Sequence, residues 1–173
     1  MNEHHRRAAG FTLIELIVVI LVLAVLAGVL IPRVTDRMAA ARDAKRLADI
    51  NAIETAIERY FHDKGVYPPA SQNGSYGGWD VSLDGDMIPE LLKTGYLTEM
   101  PADPLNNETY HYRYFVYAKG TAGCVGDGPF YVLGIKNFET QDFKARNPGF
   151  FKCGGRDWNA EFAYVTGGGA SLK

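Results

Sequence analysis

The sequence predicts an α+β fold in which a long N-terminal helix, apolar in its first half and amphipathic in its second, packs on a small antiparallel β-sheet. Three observations lead to this prediction. Residues 11–31 are almost wholly apolar. Residues 47–61 carry apolar side chains at steps of three and four, the period of a helix with one buried face. Residues 110–117 are rich in aromatic and β-branched side chains, as in a strand.

The apolar run is long enough to cross a membrane. As an α-helix, residues 11–31 would extend about 30 Å, the thickness of a hydrocarbon core. The polar side chains in this run are those of Thr12 and Glu15. A charge at membrane depth costs about 2.5–3.5 kcal/mol, so Glu15 needs a partner. Arg6 and Arg7 lie just upstream and favour a cytoplasmic N-terminus.

Three interpretations of this segment compete. The first is a secretory signal cleaved after Ala27, although Glu15 then lies inside a region that should be purely apolar. The second is a plain signal anchor that tolerates Glu15 near the interface. The third is a short basic leader, residues 1–10, that is cut on the cytoplasmic side between Gly10 and Phe11.

The third interpretation rests on a motif. Gly-Phe-Thr-Leu-Ile-Glu at positions 10–15, the basic leader before it and Pro32 after the apolar run resemble the class III signal of type IV pilins and type II secretion pseudopilins. The resemblance implies the pilin fold, cleavage between Gly10 and Phe11 by a prepilin peptidase, N-methylation of Phe11 and a role for Glu15 in assembly.

Cleavage after Gly10 would create an α-amino group at Phe11, with an ordinary pKa near 8. Glu15 lies one helical turn away and could pair with the amine of its own chain. The resemblance implies pairing with a neighbouring subunit instead. Either pair would offset much of the cost of burying the carboxylate, and the sequence leaves the choice open.

The helix is expected to weaken and then resume. Pro32 lacks an N–H and Gly28 is flexible, so a kink or local melting is predicted at residues 28–32, a stretch that is often unwound in related filaments. Residues 34–61 are predicted to be helical, with charged side chains mostly away from an apolar stripe. The stripe consists of Leu47, Ile50, Ile53, Ile57, Tyr60 and Phe61.

The remaining residues predict the head domain. Gly65 is expected to end the long helix, and a short helix is predicted at 87–93. Residues 95–104, Gly-Tyr-Leu followed by Pro-Ala-Asp-Pro, resemble the loop before the first strand in the pseudopilin G family. Strands are predicted at 110–117, 130–135 and 161–166, with a long irregular excursion at 136–155. The expected divisions are the leader at 1–10, the transmembrane and polymerisation helix at 11–32, the amphipathic helix at 33–64 and the head at 65–173.

The chain has two cysteines, Cys124 and Cys153. In a protein with an export signal, a disulfide is the expected state; the alternative is two unpaired, partly buried thiols. A disulfide would attach the end of the excursion to the loop at 123–128.

The sequence predicts no catalytic site, no metal site and no cofactor. No nucleophile elbow, metalloprotease or phosphate-binding motif is present in a usable context, and His62 and His111 are far apart. Asp84-Gly85-Asp86 begins like a calcium loop but lacks the rest of its spacing. The resemblance makes calcium the alternative, with Asp127 and Asp157 as candidate ligands. A net charge of −2 indicates no nucleic-acid partner.

Together these features predict a structural subunit rather than an enzyme. The main hypothesis is a homopolymeric type IV pilus-like filament for adhesion, motility or DNA uptake; the alternative is a pseudopilin of a type II secretion system. The expected partners are prepilin peptidase, an assembly platform in the inner membrane, lipid before assembly and other copies afterwards. The subunit is expected in the cytoplasmic membrane first and in an extracellular filament later. A signal-anchored enzyme or binding domain is the third hypothesis.

Overall fold

The computed structural model describes residues 11–71 and 76–169, and only the backbone at 29–32. The chain divides into two compact units, Met1–Met38 and Ala39–Lys173. The proposed leader, residues 1–10, lies outside the described residues. The first unit is therefore described from Phe11 onward, and the second unit contains the head.

Helix α1 covers Leu13–Lys64. Its backbone is helical at residues 28–32, so the local melting expected around Pro32 is absent from the isolated chain. The helix ends as predicted. Gly65 adopts a left-handed conformation with φ of +71° and donates its N–H to the carbonyl of Phe61, an arrangement that glycine adopts without steric cost.

The head contains a four-stranded antiparallel sheet with strand order β1-β2-β3-β6. The strands are β1 (Asp80–Val81), β2 (Tyr112–Tyr117), β3 (Phe130–Ile135) and β6 (Tyr164–Gly168). Strand β3 lies at the centre, where Leu133 pairs with Tyr114 on one side and Thr166 on the other. The third predicted strand was placed three residues too early, because residues 161–163 form the turn that enters β6.

Each face of the sheet contacts a separate hydrophobic core, as the alternation in β2 predicts. Tyr112 and Tyr114 pack with the apolar stripe of α1, including Ile50, Ile53 and Ile57. On the other face, aromatic side chains form a second core under the segment that follows β3. This outer core includes Trp79, Tyr117, Phe130, Phe151, Trp158 and Phe162. The presence of two cores explains the high aromatic content of the chain.

The segment predicted as an irregular excursion is partly ordered. It contains helix α3 (Gln141–Arg146) and strand β4 (Lys152–Cys153), which forms a two-stranded hairpin with β5 (Arg156–Asp157) just beyond it. Earlier in the chain, the predicted short helix is α2 (Pro89–Lys93). The segment between β3 and β6 thus covers the outer core, because Phe151 and Trp158 within it are buried.

Candidate functional site

The first candidate site is the surface of the N-terminal unit, which consists of exposed apolar side chains. Phe11 is 83% exposed, and the large apolar residues from Leu13 to Leu26 are between 44% and 76% exposed. Among the described residues, α1 is the one helix long and apolar enough to span a membrane. Water is a poor solvent for such a surface, so this helix requires lipid or other apolar helices around it.

Glu15 participates in a capping box at the start of α1. Its Oε2 accepts hydrogen bonds from the backbone N–H of Thr12 at 2.8 Å and from Thr12 Oγ1 at 2.7 Å. The Glu15 N–H is 3.3 Å from Thr12 Oγ1. This reciprocal arrangement satisfies backbone donors that the first helical turn leaves free. The Thr-x-x-Glu spacing is a signal for it that the sequence analysis missed.

The other residues of the processing and assembly motif are only partly visible. Gly10 lies outside the described residues, so the bond to Phe11 remains a sequence prediction. Pro32 is known by its helical backbone alone. The structure therefore leaves both the cleavage site and the assembly role of Pro32 as predictions, and shows Glu15 and Phe11 on the same exposed helix end.

The second candidate site is a buried ion network where α1 enters the head. The guanidinium of Arg46 is fully buried and contacts three carboxylates. It binds Asp103 in a two-pronged manner, Nε to Oδ2 at 2.6 Å and Nη2 to Oδ1 at 3.0 Å. Its Nη1 donates to Asp43 and Glu139, both at 2.7 Å. Arg42 also binds Glu139, with Nε 2.8 Å from Oε1.

This network connects three distant parts of the chain. Asp43 accepts bonds from the backbone N–H groups of Glu139 and Thr140, and Asp103 belongs to the Pro-Ala-Asp-Pro loop. Burial alone would lower the pKa of Arg46, but its hydrogen bonds to Asp103, Glu139 and Asp43 raise it. The pKa of Glu139 is lowered, mainly because Arg42 donates a hydrogen bond to its carboxylate. These bonds favour the charged forms of Arg46 and Glu139, and the network fixes the loops to the helix.

Asp43 and Arg46 are exceptions to the expectation that the charged side chains of this helix lie mostly away from its apolar stripe. Both side chains are fully buried. They continue the same spacing as Ile50, Ile53 and Ile57, so the buried face begins with an ion pair instead of aliphatic side chains. The sequence does contain a signal for this burial: two opposite charges lie three residues apart, in line with the apolar stripe.

The structure joins Cys124 and Cys153, as the sequence predicts, with their Cα atoms 4.8 Å apart. The bond connects the loop after β2 to the β4–β5 hairpin. The N–H of Gly155 also donates to the carbonyl of Ala122 at 2.8 Å. The excursion is thus attached to the β2–β3 loop by one covalent bond and one backbone hydrogen bond.

The candidate calcium ligands do not converge. Asp127 is exposed and lies 3.7 Å from Lys119, whereas Asp157 caps a turn through Asn159 and lies 3.3 Å from Lys152. Among the described residues, no three His, Cys, Asp or Glu side chains lie close enough to hold a metal ion.

The two described histidines have different surroundings. The side chain of His62 is 89% exposed, whereas His111 is fully buried. Arg113 Nε donates to His111 Nε2 at 2.8 Å, and His111 Nδ1 lies 3.0 Å from the carbonyl of Asn107. His111 is therefore neutral with its proton on Nδ1, because Nε2 must accept.

Comparison with known families agrees with the two motifs in the sequence. Residues 5–31 match the prokaryotic N-terminal methylation motif. Residues 33–125, more than half of the chain, match the family described as type II secretion system (T2SS), protein G. The matched part of the head extends through β2 to Val125 and includes the Pro-Ala-Asp-Pro loop. Strand β3, the excursion and strand β6 lie beyond it.

Characterised relatives show the same relationship. The chain is 30% identical over 152 residues to type II secretion system core protein G of Vibrio cholerae, covering 80% of this chain and 97% of that protein. It is 35% identical over 118 residues to that of Pseudomonas aeruginosa, covering 68% and 79%. For that of Escherichia coli the identity is 34% over 103 residues, covering 57% and 68%.

No solved structure matches this chain, so the assignment rests on sequence similarity and on the architecture described above. A long apolar-to-amphipathic helix packed on a small antiparallel sheet is consistent with the pilin fold that the resemblance predicts. The N-terminal motif, the extent of the head that matches and the near-complete coverage of one relative lead to one conclusion: the chain belongs to the type II secretion system protein G family.

Proposed function

We propose that this protein is a pseudopilin, a structural subunit that polymerises through its N-terminal helix into the filament of a type II secretion system. The observation that carries this proposal is the exposed apolar surface of residues 11–26 in a member of the protein G family. Within residues 39–71 and 76–169 the head shows no apolar surface of comparable extent, because most of its apolar residues fill two cores. The helix is therefore the polymerising element, and no enzymatic activity is proposed.

The apolar helix has two successive environments in this proposal. Before assembly, lipid surrounds it and holds the subunit in the cytoplasmic membrane. After assembly, the helices of other copies replace the lipid. Prepilin peptidase cuts between Gly10 and Phe11, and an assembly platform in the inner membrane transfers the mature subunit into the filament.

The capping box uses one carboxylate oxygen of Glu15 and leaves the other available for a second contact. Both hydrogen bonds from Thr12 end on Oε2, so Oε1 is left without a partner among the described residues. After cleavage, Oε1 can accept from the Phe11 amine of the same chain or of a neighbour while Oε2 still caps the helix. Pairing with a neighbour would fix the axial register between subunits, and this is the assembly role we assign to Glu15.

The similarities favour the secretion pseudopilin over the type IV pilus that the sequence alone put first. The relatives named above are all secretion core proteins. Adhesion, motility and DNA uptake accordingly have no separate support. A filament confined to the cell envelope also fits this function better than a long surface fibre.

Glu15 variants test the proposal. Glu15→Gln keeps the capping box, because glutamine also caps at this position, but removes the charge. We expect both Glu15→Gln and Glu15→Leu to be processed to an N-terminus at Phe11 but to assemble poorly. The amount of cross-linked filament should fall about tenfold, which corresponds to a loss of about 1.4 kcal/mol per contact. Mass spectrometry identifies the N-terminus, which N-methylation makes heavier by one methylene unit than unmodified Phe11, and cross-linking measures the assembly.

Val19→Leu is the matched control, since it changes an exposed apolar residue on the same helix and should assemble normally. Filament formation by Glu15→Gln at the wild-type level would show that the charge has no register role. A mature terminus at Gly28 would refute the pseudopilin assignment itself. Deleting the gene should abolish secretion without removing long surface fibres; loss of such fibres with intact secretion would favour the pilus.

A further inference from the structure

Two cations lie together at one end of the outer face of the sheet. Arg113 is in β2, on the face opposite α1, and Lys136 directly follows β3. The N–H of Lys136 donates to the carbonyl of His111 at 2.9 Å, which places the two residues on neighbouring strands. Both side chains are partly buried. Each cation also lowers the pKa of nearby groups: Arg113 acts on Lys136, and both act on His111.

Among the described residues, the groups that hold these two cations in place are neutral. Arg113 Nε donates to the neutral imidazole of His111, and its guanidinium carbon lies 5.3 Å from the centre of the Tyr76 ring. Lys136 Nζ donates to the backbone carbonyl of Glu161 at 2.9 Å and lies 5.8 Å from the centre of the Phe162 ring. The two Nη groups of Arg113 have no acceptor among the described residues.

Glu161, a carboxylate that attracts both cations, is already paired with Arg156. Glu161 attracts Arg113 and Lys136 electrostatically, but its two oxygens each accept a hydrogen bond from Arg156, both at 2.7 Å. Within residues 11–71 and 76–169, neither Arg113 nor Lys136 forms an ion pair with a carboxylate. Burial lowers the pKa of both side chains, as expected when a cation loses water without gaining an anion.

We propose that Arg113 and Lys136 form a carboxylate-binding site on the outer face of the head. A guanidinium with both Nη groups available matches a carboxylate in a two-pronged manner, and the ammonium of Lys136 adds a second charge. The rings of Tyr76 and Phe162 form apolar walls, and His111 holds the guanidinium in place through Nε. The ligand is a carboxylate, carried by a small molecule or by a side chain of another protein.

The site is tested by titrating the mature full-length protein in detergent micelles with acetate, which replaces chloride at constant ionic strength and pH 7. We expect saturable changes in the NMR signals of the Arg113 Nε–H and the Lys136 side chain. In Lys136→Gln the midpoint should rise about tenfold, the typical effect of one charge-assisted hydrogen bond. Lys136→Arg should restore it, and Lys144→Gln, an exposed cation in α3, should leave it unchanged.

Several outcomes would overturn the proposal: changes that never saturate, an unchanged midpoint in Lys136→Gln, or a defect in Lys136→Arg as large as that in Lys136→Gln. Saturation by inorganic phosphate but not by acetate would refute the carboxylate assignment. A parallel titration with the peptide acetyl-Gly-Glu-Gly-amide identifies the source of the carboxylate. Tighter binding of the peptide assigns the site to a partner protein, and equal or weaker binding assigns it to a small carboxylate.

Discussion

The N-terminal unit and the head satisfy their side chains in opposite ways. In the N-terminal unit the apolar side chains from Phe11 to Leu26 are exposed. At the start of this unit, Thr12 donates hydrogen bonds to Glu15. In the head, apolar side chains fill two cores, and among the described residues no buried polar side-chain atom lacks a partner. The same chain thus contains one unit whose apolar surface requires partners and one whose apolar side chains fill their own cores.

This difference separates two kinds of failure. A change in the N-terminal unit should alter assembly and leave the folding of the head intact, since the head obtains its stability from its own contacts. A change in the head should alter its free energy of unfolding first. The following predictions test this separation, beginning with the largest expected effect.

Arg46→Met should destabilise the head by about 3–5 kcal/mol, because it leaves the buried carboxylates of Asp43 and Asp103 without their cation. Urea unfolding of the full-length protein in micelles, followed by tryptophan fluorescence from the head, measures the change. Lys45→Met is the matched control on the same helical turn. Lys45 is half-exposed and pairs with Asp49, so its loss should cost at most about 1 kcal/mol.

Equal effects of Arg46→Met and Lys45→Met would contradict the assignment of the buried network as a main support of the head. The double replacement of Arg46 and Asp43 by apolar residues offers a further comparison. It should be less damaging than Arg46→Met alone if unpaired charge is the cause.

Removal of the disulfide by the double substitution Cys124→Ser and Cys153→Ser should cost about 3–4 kcal/mol, since the bond closes a loop with a sequence separation of 29. The loss should be greatest in the excursion over the outer core. Amide hydrogen exchange should therefore increase in residues 147–162 before it increases in α1. Uniform acceleration across the head would show that the excursion is not a separate cooperative segment.

The head should lose stability as the pH falls from 7 to 5, with a contribution from His111. Burial lowers the pKa of His111, and Arg113 and Lys136 lower it further, while the Asn107 carbonyl and Asp103 oppose this. A group whose pKa is lower in the folded state takes up its proton first in the unfolded chain, below its ordinary value of about 6.5. Protonation also removes the acceptor for Arg113.

His111→Gln should therefore make the free energy of unfolding less dependent on pH between 7 and 5, measured by urea unfolding at several pH values. His62→Gln is the control, because the side chain of His62 is exposed. A pH dependence in His111→Gln as steep as in the wild type would refute the role of His111.

Thr12→Val should have the smallest effect, about 1 kcal/mol on the first turn of α1, through loss of the cap. Amide hydrogen exchange at residues 13–16 in micelles should be faster, and the unfolding of the head should be unchanged. Thr12→Ser retains the hydroxyl and should resemble the wild type. A change in head stability with Thr12→Val would contradict the separation of the two units.

Periodicity predicted most of the fold. The stripe from Leu47 to Phe61, the alternation in β2 and Gly65 as the end of α1 depend on local sequence, and the structure agrees with them. The disulfide followed from the export signal and the cysteine count. These predictions succeeded because backbone propensity and the burial of one face act over short distances along the chain.

The predictions that failed concern contacts between distant residues. Arg46 looks like a surface residue until Asp103 and Glu139 are placed beside it, and neither is close to it in sequence. The cation pair Arg113 and Lys136 likewise depends on strand register. The excursion was predicted to be irregular because α3 and the β4–β5 hairpin are too short to give a periodic signal. Periodicity alone could not identify them.

The ion network at Arg46 has a mechanical consequence. Its bonds to Asp103, and those of Asp43 to residues 139 and 140, join α1 to two loops of the head near the point where the helix enters this unit. A tension applied along the helix within the head would be transmitted through these bonds to both loops. The network thus acts as an anchor through which a pull on the helix becomes a pull on the whole head.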